Sequence, residues 1–457
     1  MKVLFVTHSV DKFFYAGVAS MSAFLKEAGH DTALINYDAS YDDERFRREM
    51  LSHDADLIGF SCLTYQWPKI QELARIAKSE LPKIPVACGG FHVSFSPEEV
   101  IACPDIDIAC KGEGDQAIVD LCHALETDGD MRGIPNLWVK EYAPDGTVTV
   151  HKNEPRRLFR NMDDYPYWDR ELCGIDQHLE EKASMTYQHL TRCMPVATGR
   201  GCPYRCAYCG NQSLLNLYKG RGSYVRRRSV ANQMRELHMI LDRYPSVESF
   251  EFWDEDFFAI SHSWLRGFFK AYKREIGLPY LLSVRADNCT DQNLEEAAES
   301  GCHLLAMGVE HGDENFRKKY LQRNLSNEKM LRAFRCSREL GMERASLNII
   351  GFPYETPELA RKTLELNQAL DPDYFHLYVY QVFPGCDLYE LCEREGFVPD
   401  FYYATYQTPE GAIKQPTMTV EDIRSIWSDF ESFRMDVDER RAARQAAREN
   451  RAVLTLG

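Results

Sequence analysis

Along the first 125 or so residues, short apolar runs alternate with segments whose apolar positions recur at helical spacing. The runs at 2–7, 32–35, 56–61 and 84–88 predict strands, the segments at 16–28 and 66–81 predict helices, and an acidic helix follows the second strand. Such alternation is the sequence form of a doubly wound parallel sheet, on which ligands bind beyond the carboxyl ends of the strands. Those ends read Thr7-His8-Ser9, Gly59-Phe60-Ser61-Cys62-Leu63-Thr64, Cys88-Gly89-Gly90-Phe91-His92 and Lys111-Gly112-Glu113-Gly114-Asp115. Their small residues permit close backbone approach to a large ligand, and ordinary turns have the same composition. No Gly-x-Gly-x-x-Gly follows the first strand, which disfavours a nicotinamide or flavin site.

Residues 131–190 read as a linker, with Gly133, Pro135, Pro155 and Pro166 and a short β-ribbon over 137–150 that turns at Pro144-Asp145-Gly146. Strand–helix alternation then resumes, with strands predicted near 194–198, 247–253, 280–284, 303–309, 345–350 and 374–380. Six such units predict a complete or partial α/β barrel, whose chemistry sits at the strand carboxyl ends. The expected organisation is an α/β chain: a Rossmann-like domain over 1–130, the linker and ribbon over 131–190, a barrel over 191–390, and a mostly helical covering region over 391–457.

Composition narrows the function. Of 457 residues, 44% are hydrophobic and 27% charged, which fits a soluble globular protein of about two or three domains. Seventy acidic against 54 basic residues give a net charge of −16, which argues against a protein built to grip phosphate backbones. Arg226-Arg227-Arg228 and the stripe Arg440, Arg441, Arg444, Arg448, Arg451 are accordingly expected to be solvated faces. No apolar run approaches the roughly 18 residues of a membrane span, and the opening apolar run is too short for a signal-peptide core, so a cytoplasmic protein is expected. Fifteen cysteines are then better read as reduced thiols plus a metal site than as a disulfide framework. Cys62, Cys103, Cys122, Cys302 and Cys336 are expected as small core residues.

The cysteines that cluster stand directly after the first barrel strand, in Gly199-Arg200-Gly201-Cys202-Pro203-Tyr204-Arg205-Cys206-Ala207-Tyr208-Cys209-Gly210. A [4Fe-4S] cube generally has four anchoring positions, so three thiolates leave one iron open to a substrate or cofactor. The competing reading is a zinc knuckle completed by Cys193 or a distant residue, although no second ligand pair is evident.

This run resembles the cluster motif of the radical S-adenosylmethionine (SAM) superfamily. The resemblance implies that Cys202, Cys206 and Cys209 hold the cluster, that SAM chelates the fourth iron, and that one-electron reduction cleaves SAM to methionine and a 5′-deoxyadenosyl radical. Tyr208 matches the aromatic position against the adenine. Further matches follow at successive strand ends. Asp254, Glu255 and Asp256 resemble the segment that receives the SAM amino group, with an acidic, aromatic version in place of Gly-Gly-Glu. Ser283 and Arg285 match the segment reaching ribose and carboxylate, Glu310 a further strand-end segment, and Gly351 and Phe352 the one near adenine. The matched stretch covers about 190 residues.

The amino-terminal segment is similar to the cobalamin-binding domains fused to such barrels, through Gly89-Gly90-Phe91-His92 and Gly112-Glu113-Gly114, with Ser61 and Thr64 at the neighbouring strand end. The resemblance implies cobalamin with its tail entering the sheet edge and its corrin facing the barrel mouth. The Asp-x-His-x-x-Gly motif that supplies a histidine to cobalt is absent, so His8 and His92 are expected as loop hydrogen-bonding residues.

The family implies a cobalamin-dependent radical SAM enzyme, foremost a methyltransferase that moves methyl from methylcobalamin to an unactivated carbon or a phosphinate phosphorus. One SAM would methylate the cobalamin and a second supply the radical. The alternatives are a cyclase, ring-contraction or rearrangement enzyme using cobalamin for electron transfer, and a non-catalytic iron–sulfur or cobalamin sensor. Expected partners are a small-molecule or natural-product substrate and a reductant such as flavodoxin or ferredoxin, with neither membrane nor nucleic acid.

Overall fold

The computed structural model describes residues 1–9, 14–180, 192–399 and 409–455. The chain divides into two compact units, Met1–Cys193 with Ser213–Arg226, and Met194–Gln212 with Arg227–Gly457.

In the first unit, β1 (Lys2–His8), β2 (Asp31–Tyr37), β3 (Leu57–Ser61), β4 (Val86–Gly89), β5 (Ile108–Cys110), β6 (Leu137–Tyr142) and β7 (Val148–Lys152) form one sheet in the order β2-β1-β3-β4-β5-β6-β7. The first five strands are parallel. Val3, Leu4, Phe5 and Val6 of β1 are all buried, because a doubly wound sheet covers both of its faces. The strand order reverses between β1 and β3, a topological switch point that opens a crevice beyond their carboxyl ends. One face is filled by Val3, Leu57 and Ile108 packing against Val18 and Leu25 of the helix Ala16–Glu27 and Leu121 of the helix Asp115–Glu126.

The stretch expected as linker carries structure of its own. Its ribbon is β6 and β7, and β6 pairs antiparallel with β5, so these strands extend the sheet. The buried Leu137, Trp138 and Val139 cover an edge that would otherwise present unpaired backbone groups.

The second sheet holds β8 (Cys193–Val196), β9 (Ser249–Phe252), β10 (Tyr280–Val284), β11 (Cys302–Glu310), β12 (Glu343–Ile350) and β13 (Tyr374–Val379), each beside the next in the chain. From β9 to β13 neighbours run parallel, giving the partial (β/α) barrel expected. Its helices start where the sequence places a hydroxyl. Ser229, Thr290, Ser326 and Thr356 each accept a hydrogen bond from the backbone N–H three residues on, satisfying an otherwise orphaned donor. The carboxyl-terminal helix, Val420–Thr455, lays Ile423, Ile426, Phe430, Phe433 and Val437 against Ile350, Phe375 and Val379.

Two arginine expectations need correction. Arg226 and Arg228 are buried, with Arg226 paired to Glu113, and the Arg227 side chain is nearly so, paired to Asp254. Along the last helix, Arg440 and Arg444 stay half-exposed but pair with Asp371, and Arg444 also with Asp373 at 2.7 Å, while the side chains of Arg448 and Arg451 lie outside those described. Local composition shows charge but not the distant carboxylate that folding brings to meet it. Cys62, Cys103, Cys122 and Cys302 are buried as expected, and Cys336 is partly exposed.

Candidate active site

The loop after β8 is pinned from two sides. Ala207 donates its N–H to Leu321 O at 3.0 Å, and its carbonyl accepts from Leu388 N at 3.0 Å. Cys202 and Cys206 are buried and Cys209 is partly exposed. Burial pushes the Cys202 thiol up to about 12 and raises that of Cys209, so ionised thiolates here need compensating positive charge. Two guanidiniums stand at Cys206: Arg285 Nη1 lies 3.3 Å and Arg323 Nη1 4.0 Å from its sulfur.

Among the described residues no three His, Cys, Asp or Glu side chains are grouped closely enough to hold one metal ion. A cube that takes each thiolate on a separate iron asks for no such convergence. Three thiols in a buried loop flanked by two cations are a donor set that fits the cluster.

The acidic triplet after β9 divides its work. Asp254 faces inward: it accepts from Thr198 N at 3.1 Å and Thr198 Oγ1 at 2.8 Å and pairs with Arg227. Asp256 is also buried, accepting from Asn288 Nδ2 at 2.6 Å and from Arg285 N at 3.3 Å, and burial raises its carboxyl to about 6. Glu255 alone is exposed, yet desolvation raises its carboxyl too.

The remaining expected residues occupy three strand ends. Ser283 is partly exposed near the end of β10. Arg285, just past that strand, is held by Asp287 at 2.9 Å and lies 3.7 Å over the Tyr204 ring. Glu310 closes β11 in a left-handed conformation, φ 66°, where the register to β12 shifts after Gly308. A non-glycine residue held there is strained, and the irregularity re-aims its carboxylate. Gly351, φ 86°, begins the turn after β12, and Phe352 is fully buried, backing the half-buried Tyr208 ring at 5.7 Å. The sequence motifs missed Arg323, Tyr204, Asn288 and Thr198. Arg323 sits in Gln322-Arg323-Asn324, which carries no motif, and only its place in the fold identifies it.

In the first unit, the ends of β1 and β3 are tied by Gln66, whose Nε2 donates to His8 O while its Oε1 accepts from Leu63 N at 2.7 Å. Ser61 is partly exposed at the β3 end, Leu63 is exposed, and the buried Thr64 hydroxyl has no hydrogen-bond partner, the kind of group a polar ligand satisfies. Gly89 closes β4 and Gly90 follows it. Gly90 has φ 104°, and a Cβ there would lie 2.6 Å from Cys62 O and 2.7 Å from Cys62 N. Gly112, φ 85°, gives way to the Tyr218 ring, whose hydroxyl accepts from Glu113 N at 2.6 Å. Glu113 pairs with Arg226 and accepts from Tyr165 Oη at 3.1 Å, while Gly114 packs beside Met21 and Cys110. His92 is buried against the Trp67 ring at 5.3 Å, and desolvation lowers its imidazole to about 4. His8 Nδ1 lies 2.9 Å from Tyr37 O. The small, open strand ends at the switch point, with the unsatisfied Thr64 hydroxyl, fit a large planar cofactor.

Comparison with known proteins finds two family models along the chain. The B12 binding domain model matches residues 4–122 and the Radical SAM superfamily model residues 196–366. The chain is 24% identical to the uncharacterized methyltransferase PH0819 of Pyrococcus horikoshii, covering 90% of this chain and 85% of that one. It is 24% identical to the cytidylyl-2-hydroxyethylphosphonate methyltransferase of Streptomyces wedmorensis, covering 88% and 82%. Its fold resembles that of the radical S-adenosylmethionine methyltransferase TsrM from Kitasatospora setae, with TM-score 0.67 and 18% identity over 87% of this chain and 77% of that one. The chain therefore carries a B12 binding domain followed by a Radical SAM domain. These two domain types are ones that take cobalamin and SAM. No helix among the described residues is long and apolar enough to cross a membrane.

Proposed function

We propose that this enzyme is a methyltransferase that delivers a methyl group from methylcobalamin to an unactivated carbon, or a phosphinate phosphorus, of a small-molecule substrate in the cytoplasm. The observation carrying the reading is the pairing of a three-cysteine loop flanked by Arg285 and Arg323 with a separate switch-point sheet whose strand ends are open. When bound, the cofactors supply one-electron reductive cleavage of SAM and a transferable methyl group.

The chain's own residues bind and orient. Cys202, Cys206 and Cys209 hold the cluster. Glu255, the exposed member of the acidic triplet, receives the SAM amino group, and Glu310, aimed by its left-handed backbone, takes a polar group of the same nucleotide. Asp254 and Asp256 position the loop that presents Glu255, since their carboxylates are already spent on Thr198, Arg227 and Asn288. Tyr208, backed by Phe352, offers an aromatic face to adenine and excludes water from it. Ser283 and Arg285 line the ribose and carboxylate side. In the first unit, Ser61, Thr64, Gly89, Gly90 and Gly112 would form the cobalamin cradle, with His92, Glu113 and Gly114 shaping it from behind. Electrons come from a flavodoxin or ferredoxin.

Anaerobic reconstitution with iron, sulfide and hydroxocobalamin, followed by product analysis with SAM and a reductant, tests the reading. S-adenosylhomocysteine and 5′-deoxyadenosine formed together support it. A protein that never methylates its cobalamin ends it, and a product mixture lacking S-adenosylhomocysteine points instead to a cyclase or rearrangement enzyme.

A further inference from the structure

Cys206 differs from the other two motif cysteines in what surrounds its sulfur. Arg285 Nη1 donates to it at 3.3 Å, and Arg323 Nη1 stands 4.0 Å away on a different element. Both side chains are more than nine-tenths buried. Each is locked by other contacts. Arg285 gives Nε and Nη2 to Asp287 at 3.0 and 2.9 Å and lies over the Tyr204 ring. Arg323 gives Nη2 to the Gly308 carbonyl, stands 3.8 Å from the Glu310 carboxylate, and keeps a buried Nε that has no hydrogen-bond partner. Asp287 and Glu310 each face one of the guanidiniums, yet both Nη1 atoms remain turned to the sulfur and the Arg323 Nε stays unsatisfied, an arrangement that gains from added negative charge at Cys206.

We propose that Arg285 and Arg323 form a cationic clamp on Cys206 that raises the reduction potential of the cluster. The proposal rests on the reading of Cys206 as a cluster ligand. Hydrogen bonds to the sulfurs, net charge and burial set the potentials of iron–sulfur centres. The step concerned is the entry of one electron from a low-potential flavin or iron–sulfur carrier, which loses that electron. No bond forms or breaks and no proton moves. Fixed positive charge beside a ligand sulfur favours the state carrying the extra electron. Because guanidinium stays charged across the neutral range, the effect is independent of pH between about 6.5 and 8.5. Arg323 acts through Cys206 and is a positioning residue in this sense.

The test is a redox titration followed by electron paramagnetic resonance on the full chain, reconstituted with iron and sulfide but without SAM, so that nucleotide binding does not enter. Arg323→Gln is expected to lower the midpoint by a factor of about ten or more in the one-electron equilibrium, about 59 mV, with Arg323→Lys falling between it and the wild type at each pH. An unchanged midpoint in both variants at full iron content overturns the proposal. So does failure of both to hold a cluster while their circular dichroism stays native, since that marks an assembly role. Cys206→Ala separates the two readings: if it retains a full cluster, the assignment of Cys206 as a ligand fails, whatever the arginines do.

Discussion

Glu355 Oε1 and His311 Nε2 lie 3.1 Å apart with neither side chain exposed. His311 Nδ1 accepts from Asp313 N at 3.0 Å, which leaves Nε2 as the ring nitrogen beside the carboxylate. The second Glu355 oxygen accepts from Gly351 N at 2.5 Å and Phe352 N at 2.9 Å. One buried carboxylate therefore ties the turn after β12 to the residue that follows Glu310 at the end of β11.

Breaking that tie loosens both strand ends together. Glu355→Ala is expected to cost about 2 kcal/mol, the range for a charge-assisted buried hydrogen bond, and to lower the melting temperature by roughly 4–8 °C. His311→Gln, which keeps a donor, is expected to lose less. In the reconstituted enzyme the Glu355 change should raise the KM for SAM more than it lowers the rate of SAM cleavage. An unchanged KM with a normal melting curve would show that the two turns hold themselves.

The three motif cysteines are not interchangeable with the other twelve. Single Cys→Ala changes at 202, 206 or 209 are expected to bring SAM cleavage to background and to reduce iron per chain after reconstitution. Cys122→Ala and Cys302→Ala, at buried thiols of the cores, should keep full iron while costing about 1 kcal/mol of packing. Iron and sulfide analysis beside chemical denaturation distinguishes the two groups.

Gly90 and Gly17 make a matched pair of predictions with opposite sign. At Gly90 a methyl group meets the Cys62 backbone in a left-handed conformation, so Gly90→Ala should destabilise the first unit by about 1–3 kcal/mol and weaken retention of hydroxocobalamin on a desalting column. Gly17 lies in the helix Ala16–Glu27 with nothing within 4 Å of its Cβ position, so Gly17→Ala should stabilise by up to about 1 kcal/mol.

His92 sets an acid limit. Its imidazole is lowered by burial from 6.5 to about 4, so between those values the unfolded chain binds the proton that the folded one refuses. Its contribution is complete above about pH 6.5 and is lost as pH falls towards 4, a loss on the order of 3 kcal/mol. His92→Phe, which keeps a ring against Trp67, should move the acid-unfolding midpoint to lower pH. Equal midpoints for variant and wild type would show that the site relaxes to admit charge.

Much of the candidate site was legible in one dimension because its parts are local. The cysteine loop needs a fixed spacing after a strand, and Asp254 to Asp256 and Gly351-Phe352 each fall at a strand end that periodicity alone locates. The arginines were not legible. Arg226-Arg227-Arg228 looks like a solvated run because Glu113 and Asp254 are nowhere near it in sequence, and Arg323 carries no motif because its partners come from β11 and from the loop after β8.

The sequence by itself determined the two α/β units, the order of their strands along the chain, and the three-thiol loop, since apolar periodicity and residue spacing act over a few residues. Tertiary structure decided which carboxylate of the acidic triplet faces the open end, that the ribbon completes a sheet, and that two buried guanidiniums meet at Cys206. Those outcomes depend on packing between distant segments, where burial makes each unpaired charge costly and so selects its partner.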